Sequence, residues 1–158
     1  MRKQELENWV ENGGDLPDNL TEDEENYLKG LGWSVDVDWH KNGQKNYEYN
    51  YLHGGRHGKC MNWYKNGQKR YEESWLNGRV HGRDEGWYGN GQKNYEYNYL
   101  NGELHGKQVS WWNNGHKEYE CNLLKGKEHG TSKMWNEDRT LFRHEEYAYG
   151  VLLKDFLK

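Results

Sequence analysis

Isoleucine is absent from this 158-residue sequence, valine is scarce, and proline occurs once, at Pro17. A core layered from β-branched aliphatics is therefore excluded. Any core must be built from Trp, Tyr and Leu, and it will be thin and partly wet, because indole and phenol groups need polar partners. Cysteine is also short. Cys60 and Cys121 stand at different places in the pattern described below, which excludes a disulfide framework and a metal motif and points to a reducing compartment. No apolar run approaches the ~20 residues that span a bilayer. The N-terminal Met1-Arg2-Lys3-Gln4-Glu5 lacks the apolar core of a signal peptide, so the expected location is cytoplasmic.

Hydrophobic residues make up only 32% of the chain and charged residues 30%, a balance that by itself suggests disorder. The aromatics argue otherwise: nine Trp, thirteen Tyr and two Phe recur in order. Charge is divided unevenly. Residues 1–38 hold 11 acids against 3 bases, and residues 39–158 hold 15 against 19. An acidic head thus precedes a mildly basic body, far less basic than a protein that binds nucleic acid through phosphate contacts.

The glycines recur evenly, which makes an internal repeat the first thing to test. Trp39, Trp63, Trp87, Trp111 and Trp135 stand 24 residues apart. Behind the first four follow Asn42-Gly43, Asn66-Gly67, Asn90-Gly91 and Asn114-Gly115. In the same register come Lys45, Lys69, Lys93 and Lys117, then Tyr47, Tyr71, Tyr95 and Tyr119, then Glu48, Glu72, Glu96 and Glu120. A second glycine cluster ends in His57-Gly58, His81-Gly82, His105-Gly106 and His129-Gly130. The fifth repeat is degenerate: Asp138 and Arg139 stand where Asn and Gly are expected. A divergent end repeat suits a stacked array, whose last member has no neighbour on one side.

Each repeat reads as two short strands. Residues 44–52 alternate, with Lys45, Tyr47, Tyr49 and Tyr51 expected on one side and Asn46, Glu48, Asn50 and Leu52 on the other. Residues 59–64 form the second strand. The Asn–Gly pairs supply the positive φ of a two-residue type I′ turn, or of a three-residue turn closed by glycine. The connection from His53 to Gly58 is a longer turn, with His–Gly at its end. The fold expected is mainly β: an elongated single-layer antiparallel meander over residues 39–158, with a helical cap in residues 1–38. Thr21-Glu22-Asp23-Glu24 is a capping box that opens a helix over 21–29, stopped at Gly30. An earlier short helix is expected over 2–10, and residues 34–40 supply the sheet's first strand. The head is expected to cover the sheet's first edge.

The stretch Tyr95-Glu96-Tyr97-Asn98-Tyr99-Leu100-Asn101-Gly102-Glu103-Leu104-His105-Gly106-Lys107 resembles a MORN repeat. With its Trp–Tyr–x–Asn–Gly–Gln strand pair, the repeat is most similar to the variant in bacterial YwqK-type antitoxins and viral MORN proteins. The resemblance covers roughly residues 39–150. It implies elongated twisted antiparallel sheets that serve as protein-interaction scaffolds, dimerisation platforms or lipid-headgroup binders. One departure is plain: the family's glycine after the first tyrosine is here Tyr49, Glu73, Tyr97 and Cys121.

Residues that could carry chemistry have structural readings beside them. The histidine column suggests metal, but successive repeats set its members roughly 10 Å apart, too far to share one ion. A turn role for His57, His81, His105 and His129, with Gly43, Gly67, Gly91 and Gly115, fits better. The glutamate ladder is too widely spaced for paired-carboxylate catalysis and suits cross-strand ion pairs with lysine. Cys60 has no recurring His partner. The reading is non-enzymatic, with no cofactor and no metal. A single-layer sheet leaves aromatics open, and the candidate anchors are Tyr64, Tyr88 and Trp112 on one face and Tyr51, Trp75 and Tyr99 on the other. The expected partner is another protein, with self-association a further outcome. A membrane-surface adaptor for anionic lipid is the rival, disfavoured by the lack of a Lys/Arg cluster. A small-molecule sequestering role is the third reading.

Overall fold

The structure, a computed structural model, describes residues 2–158. Two helices, α1 (Lys3–Asn12) and α2 (Glu22–Gly30), precede thirteen strands: β1 (Trp33–Trp39), β2 (Lys45–Leu52), β3 (Gly55–Trp63), β4 (Lys69–Leu76), β5 (Arg79–Trp87), β6 (Lys93–Leu100), β7 (Glu103–Leu104), β8 (Gly106–Trp111), β9 (Lys117–Leu124), β10 (Lys127–Glu128), β11 (Gly130–Trp135), β12 (Leu141–Ala148) and β13 (Val151–Asp155). They form one open antiparallel meander in chain order, with β7 paired to β6 and β10 to β9 at the side of the path. By its contacts the chain divides into an N-terminal half, residues 1–81, and a C-terminal half, residues 82–158.

Two kinds of turn alternate. At the Asn–Gly turn, Gly43 N–H donates to His40 O at 2.9 Å and His40 N–H to Gln44 O at 2.8 Å. Glycine alone takes a positive φ there, +83° at Gly43. This is the three-residue turn of the two that the sequence allowed. The two-residue type I′ turn lies elsewhere, at His53–Gly54, where both φ values are positive (51° and 80°) and Leu52 pairs with Gly55. It recurs at Asn77–Gly78, Asn101–Gly102, Lys125–Gly126 and Tyr149–Gly150.

The His–Gly pairs are therefore not turns, which corrects the sequence reading. Strand β3 begins at Gly55, and His57–Gly58 lies inside it. Tyr49 pairs with Cys60 and Tyr51 with Arg56, so His57, Gly58 and Lys59 together face only Asn50. Gly58, at φ 72°, makes this bulge possible. The same irregularity separates β7 from β8 at His105 and β10 from β11 at His129.

A second bulge fixes the ion pairs. Trp39 pairs with Lys45 but Asp38 with Tyr47, which leaves Asn46 extra. The alternation shifts there, so Lys45 and Glu48, three apart in one strand, meet at 2.5 Å. Lys69 with Glu72, Lys93 with Glu96 (3.4 Å) and Lys117 with Glu120 (2.7 Å) repeat it. The lysine and glutamate columns thus pair within a strand. Cross-strand bridges, which the sequence led us to expect, form as well: Lys93 reaches Glu85 at 2.7 Å, and other lysines reach the column glutamates, as in Lys59–Glu72 at 2.5 Å and Lys107–Glu120 at 3.1 Å.

The helices lie on the lysine–glutamate face of the N-terminal half. Leu6, Trp9 and Leu28 are buried with Trp33 and Leu52, flanked by Val10, Leu16, Leu20 and Tyr27. Trp33 Nε1 donates to Asn50 Oδ1 at 3.0 Å, Asn50 Nδ2 to Lys59 O at 2.9 Å, and Lys59 bridges Asp15 at 2.6 Å. Trp9 rests on the bulge, edge-on to His57 with ring centroids 4.7 Å apart, and its carbonyl accepts from His57 Nε2 at 2.7 Å. Strand β1 keeps one strand neighbour among the described residues. The head thus covers a face rather than the edge, and there its apolar residues bury themselves against Trp33 and Leu52. The edge strand itself carries Asp36 and Asp38, charges that oppose pairing with another strand.

The capping box forms as expected: Thr21 Oγ1 accepts from Glu24 N, and Glu24 Oε2 accepts from Thr21 N at 3.0 Å. Glu24 also accepts from the Arg2 side chain and from Arg2 N at 2.8 Å. These hydrogen bonds, the Arg2 side chain first, hold its carboxyl well below the ordinary 4.5. A carboxyl with a depressed folded-state pKa stabilises above its unfolded value and loses that contribution as pH falls. The melting-temperature gap between wild type and Glu24→Gln should be widest near neutrality and shrink as pH falls from about 5 toward about 2. A gap independent of pH would show that Glu24 acts only through packing.

Candidate functional site

Alternation along β2–β4 puts the head, the tryptophan column and the Lys–Glu ladder on one face. The tyrosines occupy the other. Tyr47 and Tyr49 stack with centroids 4.7 Å apart, and the Tyr49 and Tyr71 hydroxyls meet at 2.5 Å. The Arg56 guanidinium lies 4.5 Å from the Tyr49 ring and 5.0 Å from that of Trp75, and it bridges Glu73 at 3.3 Å. Burial, and then the bond to Tyr49, push the Tyr71 hydroxyl pKa up. All these rings remain half-exposed.

Behind the rings lies a column of small or polar residues, one per repeat: Cys60, Asp84, Gln108 and Ser132, all buried. In the C-terminal half, Gln108 closes the β7–β8 bulge by accepting from Asn98 N (3.1 Å) and donating to the carbonyls of Asn98, His105 and Gly106. Ser132 donates to Glu128 at 2.8 Å, and Glu128 also bridges Arg143 at 3.3 Å. Arg143 contacts Glu145 and the Tyr147 hydroxyl, while Tyr95 stacks on Tyr97 at 4.8 Å.

The predicted anchors fall on one face rather than two. Tyr51 pairs with Arg56, whose guanidinium covers Tyr49 and Trp75, so Tyr51 and Trp75 belong to the tyrosine face. Tyr64 lies under Arg70, the bulge residue of its own hairpin, and Tyr88 holds the equivalent position in the next repeat. Tyr64 and Tyr88 are thus on the tyrosine face too, at the Asn–Gly end of the strands; Trp112 holds the same position in its repeat. Tyr99 takes the place of Tyr51 and Trp75 in the third repeat, at the other end. The two sets, expected on opposite faces, share one because each hairpin carries an extra residue, Asn46 in the first and Arg70 in the second.

These positions also tie each repeat to the next. His40 Nε2 donates to Trp63 O, Tyr88 Oη to Trp111 O and Trp112 Nε1 to Trp135 O, at 2.8 to 3.0 Å. Asn42, Asn90 and Asn114 donate to the carbonyls of Lys65, Asn113 and Glu137. At the opposite end His57 Nδ1 accepts from Asn77 N (3.3 Å) and His129 Nδ1 from Tyr149 N (3.4 Å). His57 and His129 are therefore structural acceptors, but for the turn of the following repeat rather than for local backbone, while His105 Nδ1 is buried without a hydrogen-bond partner.

Burial pushes the Cys60 thiol up to about 11, and it raises Cys121 as well. Both thiols are buried. Thiol-specific reagents should modify Cys60 only as fast as the N-terminal half opens, so labelling should accelerate together with denaturant-induced unfolding. Stoichiometric labelling within seconds in native buffer would contradict this. Among the described residues no three His, Cys, Asp or Glu side chains gather as a metal site, and no helix is long and apolar enough to cross a membrane. Compared with known protein families and with curated proteins, the chain matches none.

Proposed function

We propose that the chain is a non-enzymatic protein-interaction module of MORN-like repeats that binds a partner protein through its tyrosine face. One observation carries the reading. The head is spent on the opposite face, while Tyr47, Tyr49, Tyr51, Tyr71 and Trp75 stay half-exposed and are braced by Arg56 and by each other. Aromatic rings held by neighbours lose little entropy on binding and are frequent interface anchors. Groups that could have served catalysis have other occupations: the glutamates pair with lysines, His57 and His129 accept turn N–H groups, and the thiols are buried.

Affinity capture from the source cells with wild type and with Tyr51→Ser/Trp75→Ser tests the proposal. The variant should keep its circular dichroism spectrum and lose the partner, with single substitutions costing about 2 kcal/mol or more of binding. Undiminished capture by a folded variant would move the interface to the turns or to the charged ladder.

A further inference from the structure

The repeats are regular enough that a departure shared by two of them is informative. In the first and third repeats the glutamine that follows the Asn–Gly turn lies across the turn glycine of the next repeat: a Cβ on Gly67 would stand 2.9 Å from Gln44 Oε1, and one on Gly115 would stand 3.4 Å from Gln92 Nε2. In the fourth repeat both members change. His116 stands in place of the glutamine and Arg139 in place of the glycine. Arg139 keeps the glycine conformation, with φ 71°, a region that L side chains adopt only at a cost.

The two changes meet. His116 Nδ1 donates to Glu137 O at 2.6 Å, which leaves Nε2 to accept from the Arg139 guanidinium at 2.8 Å. Together they border an open cavity of about 430 Å³, lined also by Trp111, Trp135, Lys117 and Gly115. Lys117 lies 5.6 Å from the Trp135 ring centroid and shares Glu120 with Lys107. Two indoles thus bound a space whose polar rim is cationic, and a strained residue supplies part of that charge. Stacking surfaces beside fixed guanidinium and ammonium groups match a flat ring bearing a negative group. The volume suits a small molecule.

We infer that the cleft between Trp111 and Trp135 binds a small planar aromatic anion, with the ring against the indoles and the carboxylate or phosphate on Arg139 and Lys117. The inference stands apart from the tyrosine face, and neither depends on the other.

Titration of the full chain with 2-naphthoate, 2-naphthamide and inorganic phosphate tests it, followed by calorimetry and by the indole N–H signals in NMR spectra assigned with Trp111→Phe and Trp135→Phe. The naphthoate should bind at least about tenfold more tightly than the neutral amide, since charge-assisted hydrogen bonds are lost with the charge. Phosphate alone should bind more weakly still, and the Trp111 and Trp135 signals should move most. Arg139→Gly restores the glycine found in the other repeats, so it should leave the melting temperature equal or higher while weakening naphthoate to the level of the amide. The inference is overturned by any of three results: no naphthoate binding, equal affinity for naphthoate and amide, or shifts centred on other tryptophans. Unchanged naphthoate affinity in folded Arg139→Gly overturns it as well.

Discussion

Trp9→Ala should destabilise the N-terminal half by about 3–5 kcal/mol, the largest single-residue loss expected in the chain. Trp9 is 1% exposed and belongs to the same buried cluster as Leu6, Leu28, Trp33 and Leu52. Few large apolar side chains in this protein are so fully enclosed, so no neighbouring cluster can take over its role. One detail sharpens the test. Trp9 Nε1 is buried without a hydrogen-bond partner. An unsatisfied buried donor is itself costly, by about 1–3 kcal/mol. Trp9→Phe keeps most of the apolar contact and removes that donor, so it should be far milder than Trp9→Ala. Urea unfolding followed by circular dichroism separates the two. Equal losses would mean that the indole packs less closely than its burial implies.

Gly58→Ala should be nearly as damaging, from the other side of the same contact. A Cβ on Gly58 would stand 2.4 Å from Trp9 Nε1, and φ is +72°. Left-handed backbone costs alanine roughly 1–2 kcal/mol, and forcing the indole out of its seat adds about 1–3 kcal/mol. Gly43→Ala is the control, because φ is +83° there with nothing within 4 Å of the added methyl. It should cost only the backbone share. In a Trp9→Ala background the Gly58→Ala penalty should fall to the Gly43→Ala value, since residues in contact couple in such cycles. Additive losses would show that head and bulge do not press on each other.

Much of the fold was legible because it is written once per repeat. The 24-residue period, the strand pairs and the Asn–Gly turns follow from alternation and glycine spacing, and the capping box at Thr21 is a local signal that the helix obeys. The misread parts depend on counting across strands. A glycine at positive φ looks the same in sequence whether it closes a turn, as Gly54 does, or opens a bulge, as Gly58 does. What decides is that Leu52 and Gly55 pair, which only the partner strand shows. The extra residue at Asn46 likewise exchanges the faces beyond it, and with them the expected places of Tyr64, Tyr88 and Trp112. The head's seat was hidden for another reason. Leu6 and Trp9 are three apart in a polar helix, a weak stripe that names no destination. The Trp111–Trp135 cleft was visible only as degeneracy of the last repeat.

The ties between repeats keep one sense at each end of the strands. At one end of the strands, His40 and Asn42 donate forward into the next turn; at the other, the turn N–H of Asn77 and of Gly78 donates back to His57 and Arg56. The pattern recurs within the C-terminal half, where Asn90 and Asn114 donate forward and the turn N–H of Gly126 and of Gly150 donates back to Leu104 and Glu128, so within a half successive repeats present matching sockets and plugs. A gene coding for such an array can gain or lose whole 24-residue periods by unequal recombination, and each junction so made joins a matched pair. The fifth repeat breaks the chain of plugs: Asn136 turns inward to Thr140 at 2.8 Å. Lengthening by duplication is thus expected between Trp39 and Trp135, and the terminal repeat is the one segment that cannot be copied inward without leaving a mismatched seam.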